Sequence, residues 1–273
     1  MSNAKVKMRA ANLAIVLLDI IGSTQFVQRA GAVRAAKWLQ YHDRLARSLV
    51  YKYGGREIDR SDGFMLSFET VNDAVAFGLA YQRELPGKTK LQARIGIHYG
   101  QVVEVQQAEA FVNANAKRIE LEGIAKNIAA RTMSVCGAGQ VLLTKEAHRW
   151  LRQTRFMSKD TMVACVGLYR FKGVSEPQEL YAVGESMKAL QPPPSSDKVK
   201  RLGGPKYIKK RARDRKFLEW VEWVFWRVGL VATLIWLYLL YPFIISASGR
   251  YYLDPYIHYL YLIHDFIRGL IWP

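Results

Sequence analysis

The chain has 273 residues, half of them hydrophobic, which is room for one good-sized domain with an appendage or for two small domains. Its net charge of +17 is concentrated: residues 198–216 read KVKRLGGPKYIKKRARDRK, ten basic residues and one acid, a run suited to nucleic acid or to an anionic membrane surface. Cys136 and Cys165 are the only cysteines and lack metal-ligand spacing, which excludes a disulfide framework and points to a reducing compartment.

The first apolar run, ANLAIVLLDII, is broken by Asp19 and is followed by no small-residue cleavage site, so it reads as a buried strand over residues 13–18 rather than a secretion signal. Helical spacing follows over 25–53 and ends at Gly54-Gly55. REID and FMLSF then flank Asp62 as a hairpin. A second helix is predicted over about 71–85, stopping at Pro86-Gly87. ARIGIHYGQVVEV (93–105) reads as a strand pair bent at Gly100. A helix over about 123–135 comes next, then a strand in GQVLLT, a short helix in KEAHRWLRQ, and a closing hairpin in YRFKGVSEPQELYAV. The order β-α-β-β-α-β with α and β additions predicts an α+β fold with a ferredoxin-like core.

Residues 1–187 thus form the first predicted domain. Residues 188–216 read as a linker, first proline-containing (QPPPSS) and then strongly basic. From 217 on the composition is that of a membrane region. Tryptophans crowd its entry, and residues 228–247 carry no charge over twenty positions, enough at about 1.5 Å per residue to cross a bilayer. We expect a transmembrane helix over about 226–247. The last segment, 254–273, reads as an interfacial or second membrane helix. With the basic run on the inner side, the membrane is preferred to nucleic acid as the partner, and no nucleic acid is expected.

Chemistry concentrates in a few places. Asp19 ends an apolar strand just before a Gly-Ser-Thr turn into a helix, and Asp62 lies at a hairpin beside a strand that can pair with the first. Two carboxylates converging in this way can hold hard divalent cations. Asn127 and Arg131 are spaced i, i+4 and share a helix face, where an amide can fix a ribose and a guanidinium can meet phosphate oxygens bidentately.

In LLDIIGST, GGREIDRSDGF, ARIGIHYGQVV, EGIAKNIAARTMS, GAGQVLLT and FKGVSEPQELYAV, in this order over residues 13–183, the chain resembles the class III nucleotidyl cyclase catalytic domain. The resemblance implies two Mg²⁺ or Mn²⁺ ions on Asp19, Asp62 and the Ile20 carbonyl. It implies transition-state roles for Asn127 and Arg131, a triphosphate contact from Lys172, and a phosphate cradle from the amides of Ile21, Gly22, Ser23 and Thr24. It also implies a homodimer in which one protomer supplies the aspartates and the other the Asn/Arg helix. The reaction implied is attack of the ribose 3′-oxygen on the α-phosphate of a nucleoside triphosphate, expelling pyrophosphate.

The chain departs from the family at the hairpin. Ser61 replaces a glycine, no base-reading lysine stands in Glu57–Ser61, and Asp59 and Arg60 are both candidates for that role. The second base-reading position is Glu120, whose carboxylate accepts from an exocyclic amine and so favours adenine or cytosine. The expectation is a membrane-anchored cyclase acting on ATP at the inner membrane of a bacterium, with its catalytic domain in the cytoplasm. Guanine and pyrimidine substrates, including those of anti-phage signalling, stay open. So does a silent nucleotide-binding module.

Overall fold

The structure is a computed structural model and describes residues 7–61, 63–89, 91–153 and 161–247. Asp62 and the expected membrane helix at 254–273 lie outside the described residues. The chain divides into two units at Lys210–Arg211.

Among the described residues of the first unit, nine strands make one sheet. Strand β1 (Lys7–Ile20) lies at its centre, between β3 (Phe64–Phe68) and β4 (Ala93–Gln106), antiparallel to both. The full order is β2-β3-β1-β4-β6-β8-β7-β9, with β5 (Ile119–Glu122) pairing the far end of β4. Here β2 is Arg56–Arg60, β6 Val141–Thr144, β7 Met162–Phe171, β8 Gln178–Gly184 and β9 Val199–Gly203. The central β2-β3-β1-β4 order is that of the expected ferredoxin-like core.

Helices cover both faces, which explains why β1 is apolar on successive residues rather than alternate ones. On one face Ala14, Val16 and Leu18 meet α2 (Ala32–Lys52), α3 (Val71–Lys88) and α6 (Lys145–Gln153), around Phe64, Phe68, Phe77 and Tyr81. On the other, Leu13 and Ile15 meet α5 (Ile124–Val135) through Ala125 and Ala129. A further cluster around Tyr169, Phe171 and Leu180 packs on Ile128 and Val135 of the same helix.

Several boundaries differ from the sequence reading. Residues 25–53 are two helices, α1 (Ser23–Ala30) and α2, broken at Gly31, whose φ of 78° a residue with a Cβ rarely adopts. Helix α3 continues through Pro86 to Lys88. Proline removes a single helical bond there, and the end is fixed by Thr89, whose N–H and Oγ1 both donate to the Leu85 carbonyl. The stretch 93–105 is one strand, because β1 pairs it from Ala93 opposite Ile20 to Gln106 opposite Lys7 without interruption at Gly100. A short helix α4 (Glu109–Asn113) precedes β5.

The basic stretch read as linker is partly built into the sheet. Val199 is buried, and β9 pairs antiparallel with β7 along the sheet edge. Helix α7 (Pro205–Ala247) begins soon after and includes a candidate membrane span over Pro205–Tyr238 whose apolar stretch is not buried.

Candidate active site

Asp19 is the penultimate residue of β1. The register sets it beside Arg94 on β4, and strand alternation puts both on the α5 face. Arg94 donates to Asp19 Oδ2 twice, from Nε at 3.0 Å and Nη2 at 2.6 Å, and from Nη1 to the Ser134 carbonyl of α5 at 3.2 Å. Both contacts fall on Oδ2, which leaves Oδ1 without a hydrogen-bond partner among the described residues. The pair is only partly exposed, 19% for the aspartate side chain and 29% for the arginine. Sequence reasoning missed Arg94, although it stands in the quoted ARIGIHYG. Its role depends on a cross-strand register 75 positions away in the chain.

Gly63 carries the chain past the end of β1. A Cβ there would collide with the Leu18 carbonyl oxygen and lie 3.5 Å from Asp19 Cα, so only glycine permits this approach. The hairpin that bears Asp62 is thereby set against Asp19. A partly buried carboxylate with one uncommitted oxygen, beside a strand-end carbonyl at Ile20, is a donor set of hard oxygens and fits Mg²⁺ or Mn²⁺. No group of three His, Cys, Asp or Glu side chains gathers among the described residues.

The turn after β1 is tight, with Gly22 at φ 66°. Ser23 and Thr24 open α1, where the first amides have no intrahelical carbonyl to donate to. Ile21 differs from expectation: its amide donates to the Gln92 carbonyl at 2.8 Å and is already engaged.

Asn127 is exposed and Arg131 half-buried, one turn apart on α5. Neither side chain is held by another described residue, and no hydrogen bond or ion pair joins them to Asp19. Helix α5 itself sits tightly on the sheet, because Gly96 of β4 leaves room for its backbone. Lys172 is exposed just after β7, its amide donating to the Lys198 carbonyl at 2.9 Å.

The base-reading candidates line two cavities that share Asp59 and Lys117, the second, of about 700 Å³, including Arg60. Glu120 and Asp59 line one cavity of about 320 Å³ together with Lys117 and Lys126, over a floor that includes Ile58 and Met65. Gln107 Nε2 donates to Glu120 at 3.2 Å, and Lys117 Nζ lies 2.6 Å from Asp59. Arg60 is absent from this cavity. Its guanidinium donates twice to Asp43 of α2, at 3.1 and 2.9 Å, lies 4.9 Å from the Phe64 ring centroid, and also donates to the Ser61 carbonyl. The hairpin irregularity has a structural form: a bulge between Glu57 and Asp59, with Ile58 turned into the apolar cluster under α5.

Two buried histidines lie near these elements. His42 of α2 bonds Tyr81 through Nδ1, and His98 of β4 bonds Thr144 Oγ1 at 2.8 Å. Burial pushes each down to about 4 and keeps both rings neutral. Burial also pushes the Cys136 thiol up to about 12, so it is a packing residue rather than a nucleophile.

Comparison with known proteins bears on the family and the fold. The family model of the adenylate and guanylate cyclase catalytic domain matches residues 6–184. Among solved structures, the adenylyl cyclase CyaB from P. aeruginosa superposes with a TM-score of 0.58 at 21% identity, covering 67% of this chain and 99% of that one. A Trypanosoma brucei adenylate cyclase in its monomeric state gives 0.55 at 21% identity over 65% of this chain and 90% of its own. The guanylate cyclase domain of RhGC from Catenaria anguillulae, in complex with GTP, gives 0.53 at 15% over 65% and 97%. At these identities the likeness is one of fold. A curated relative, the serine/threonine-protein kinase pkn2 of Myxococcus xanthus, is 30% identical over 158 residues, which is 50% of this chain and 19% of that protein. This chain thus spans about a fifth of that relative, and the activity in its name is said of that protein alone. By the family model's match over residues 6–184, the chain belongs to the adenylate and guanylate cyclase catalytic domain family and is a cyclase, a lyase.

Proposed function

We propose that the chain is a membrane-anchored homodimeric cyclase that converts ATP to the 3′,5′-cyclic monophosphate and pyrophosphate. The observation that carries this reading is Asp19 at the end of β1, held by Arg94 on one oxygen and approached by the glycine-dependent hairpin of Asp62. Two divalent cations, held by Asp19, Asp62 and the Ile20 carbonyl, would lower the pKa of the 3′-hydroxyl and neutralise charge on the phosphates.

The chain's own residues do the positioning. Asn127 fixes the ribose so that its 3′-oxygen faces the α-phosphate. Arg131 meets the charge that grows on the phosphate oxygens during attack. Arg94, which holds Asp19 Oδ2, is the cation at the strand end that would face the triphosphate, and Lys172 would meet it from the β7–β8 turn. The amides of Gly22, Ser23 and Thr24 hold the terminal phosphates. Asn127 and Arg131 make no hydrogen bond or ion pair to Asp19 among the described residues, which is compatible with two chains paired head to tail completing each site. Glu120 takes the exocyclic amine of adenine. Residues 217–273 anchor the protein, with an exposed apolar span in α7 behind an aromatic and basic entry, at the bacterial inner membrane with the cyclase on the cytoplasmic side.

The test is incubation of the purified protein with each of the four ribonucleoside triphosphates and Mg²⁺ or Mn²⁺, with products identified by mass. Cyclic AMP and pyrophosphate are expected. Four blanks from an intact dimer overturn the reading in favour of a silent module. Mixing Asp19→Asn with Arg131→Ala chains, each inactive alone, should restore activity through heterodimers that hold one intact site. No restoration refutes the shared site.

A further inference from the structure

We infer that Lys117, in the segment between α4 and β5, reads the substrate base, supplying from outside the β2–β3 hairpin the lysine that the hairpin itself lacks. This rests on the cyclase reading above. The cavity beside β5 has the build of a site for a flat heterocycle. Ile58 and Met65 give it an apolar floor, and ionisable side chains from three separate elements rim it: Asp59 from β2, Lys117 and Glu120 from either side of the start of β5, Lys126 from α5. Its volume of about 320 Å³ accommodates a nucleobase with part of its ribose. Lys126 precedes Asn127 on α5, so the rim and the residue assigned to the sugar belong to the same helix turn.

Within this rim the hydrogen-bonding chemistry divides. Glu120 is an acceptor, with one oxygen already taking a bond from Gln107 Nε2. Lysine is a donor only, and Lys117 is aimed by Asp59 at 2.6 Å. An ammonium and a carboxylate in one cavity match a base edge that offers a ring-nitrogen acceptor next to an amine donor, as N1 and N6 of adenine and N3 and N4 of cytosine do. The Lys117 side chain is half exposed (51%), so its pairing with Asp59 costs little to rearrange when a base enters. Asp59 is then a positioning residue that holds the ammonium over the cavity. The bulge at Ile58 matters for the same reason. It turns the hairpin's own side chain at that place into the apolar cluster, which leaves the base edge to be read from the β5 side.

The experiment measures kcat/KM for ATP, GTP, CTP and UTP with the full-length protein and with Lys117→Ala, Lys117→Arg and Asp59→Asn. For Lys117→Ala we expect the preferred nucleotide to lose roughly ten- to a hundredfold, the range of one hydrogen bond to a charged group, while the others change by less than about threefold. Lys117→Arg should recover part of the loss. Asp59→Asn should raise KM for the preferred nucleotide with kcat kept. Wild-type activity with unchanged nucleotide ratios in Lys117→Ala overturns this inference and leaves the cyclase reading standing. An equal fall for all four nucleotides overturns it too, since that is the mark of a structural or phosphate-binding role. No product from the wild type overturns both.

Discussion

Gly96 ties the position of the α5 helix to the reaction rate. A Cβ added at residue 96 would meet Met133 Cα at 2.6 Å and Ala129 O at 2.8 Å, with Met133 N closer still. These are backbone atoms of α5, so no side-chain rotation relieves the clash. Carbon contacts settle at about 3.5–4.0 Å, so α5 must move away from the sheet by roughly 1 Å. Overpacking of this kind costs about 1–3 kcal/mol. At about 2–4 °C per kcal/mol for a domain of this size, Gly96→Ala should lower Tm by roughly 2–12 °C. The same displacement carries Asn127 and Arg131 out of register with the α-phosphate, and a misplacement of about 1 Å is enough for a hundredfold loss. We therefore expect kcat to fall on the order of a hundredfold. Differential scanning fluorimetry and a pyrophosphate-release assay on one preparation give both numbers. Gly87→Ala is the control: the residue lies within α3 with nothing within 4 Å of its added Cβ, and the change should be neutral or slightly stabilising. An unchanged Tm would refute the packing argument, and a lowered Tm with an intact kcat would refute the link from helix position to rate.

Arg94→Met should lower kcat by about a hundredfold through loss of the phosphate contact, while the Mg²⁺ concentration for half-maximal rate falls because Asp19 loses its internal counter-ion. An unchanged kcat, or a raised Mg²⁺ requirement, would refute it. Stability should also depend on acid. His42 and His98 hold their protons only below about 4 in the fold and below 6.5 when unfolded, so between these values unfolding takes up protons. The stability they contribute is complete above pH 6.5 and is lost as pH falls toward 4, at about 1.4 kcal/mol per unit for each ring. Urea titrations at pH 7.5 and 5.0 should differ by about 4 kcal/mol, and His98→Gln should halve the difference. A midpoint that does not move between the two pH values would refute the assignment.

What the sequence reveals and conceals follows from where the determining contacts lie. The β1 strand, the Asp19 turn and the NxxxR spacing of α5 are local patterns, and each is legible because one element carries it whole. The break at Gly31 is hidden because glycine is tolerated inside helical spacing until its φ is known. Strand β9 is hidden for a different reason. An edge strand is protected from further pairing by charge, so Lys200 and Arg201 disguise a strand as part of a basic run, and Val199 is the only fully buried residue to signal it. Arg94 and Lys117 were illegible because their partners, Asp19 and Asp59, are 75 and 58 positions away, the first met through strand register and the second through the fold that brings the start of β5 over β2.

That division bears on what the missing hairpin lysine means. Taken from the sequence alone, Glu57–Ser61 without a lysine or glycine counts toward a domain that has given up catalysis. The structure separates the two ends of the hairpin. The Gly63 end depends on a close backbone approach to Leu18 and Asp19, and it is intact. The Ile58 end carries the bulge, and it borders the cavity where Lys117 and Glu120 stand. On the proposed mechanism the bulged end bears on how the base is read and the Gly63 end on phosphoryl transfer, so the missing lysine speaks to base recognition and not to a loss of catalysis.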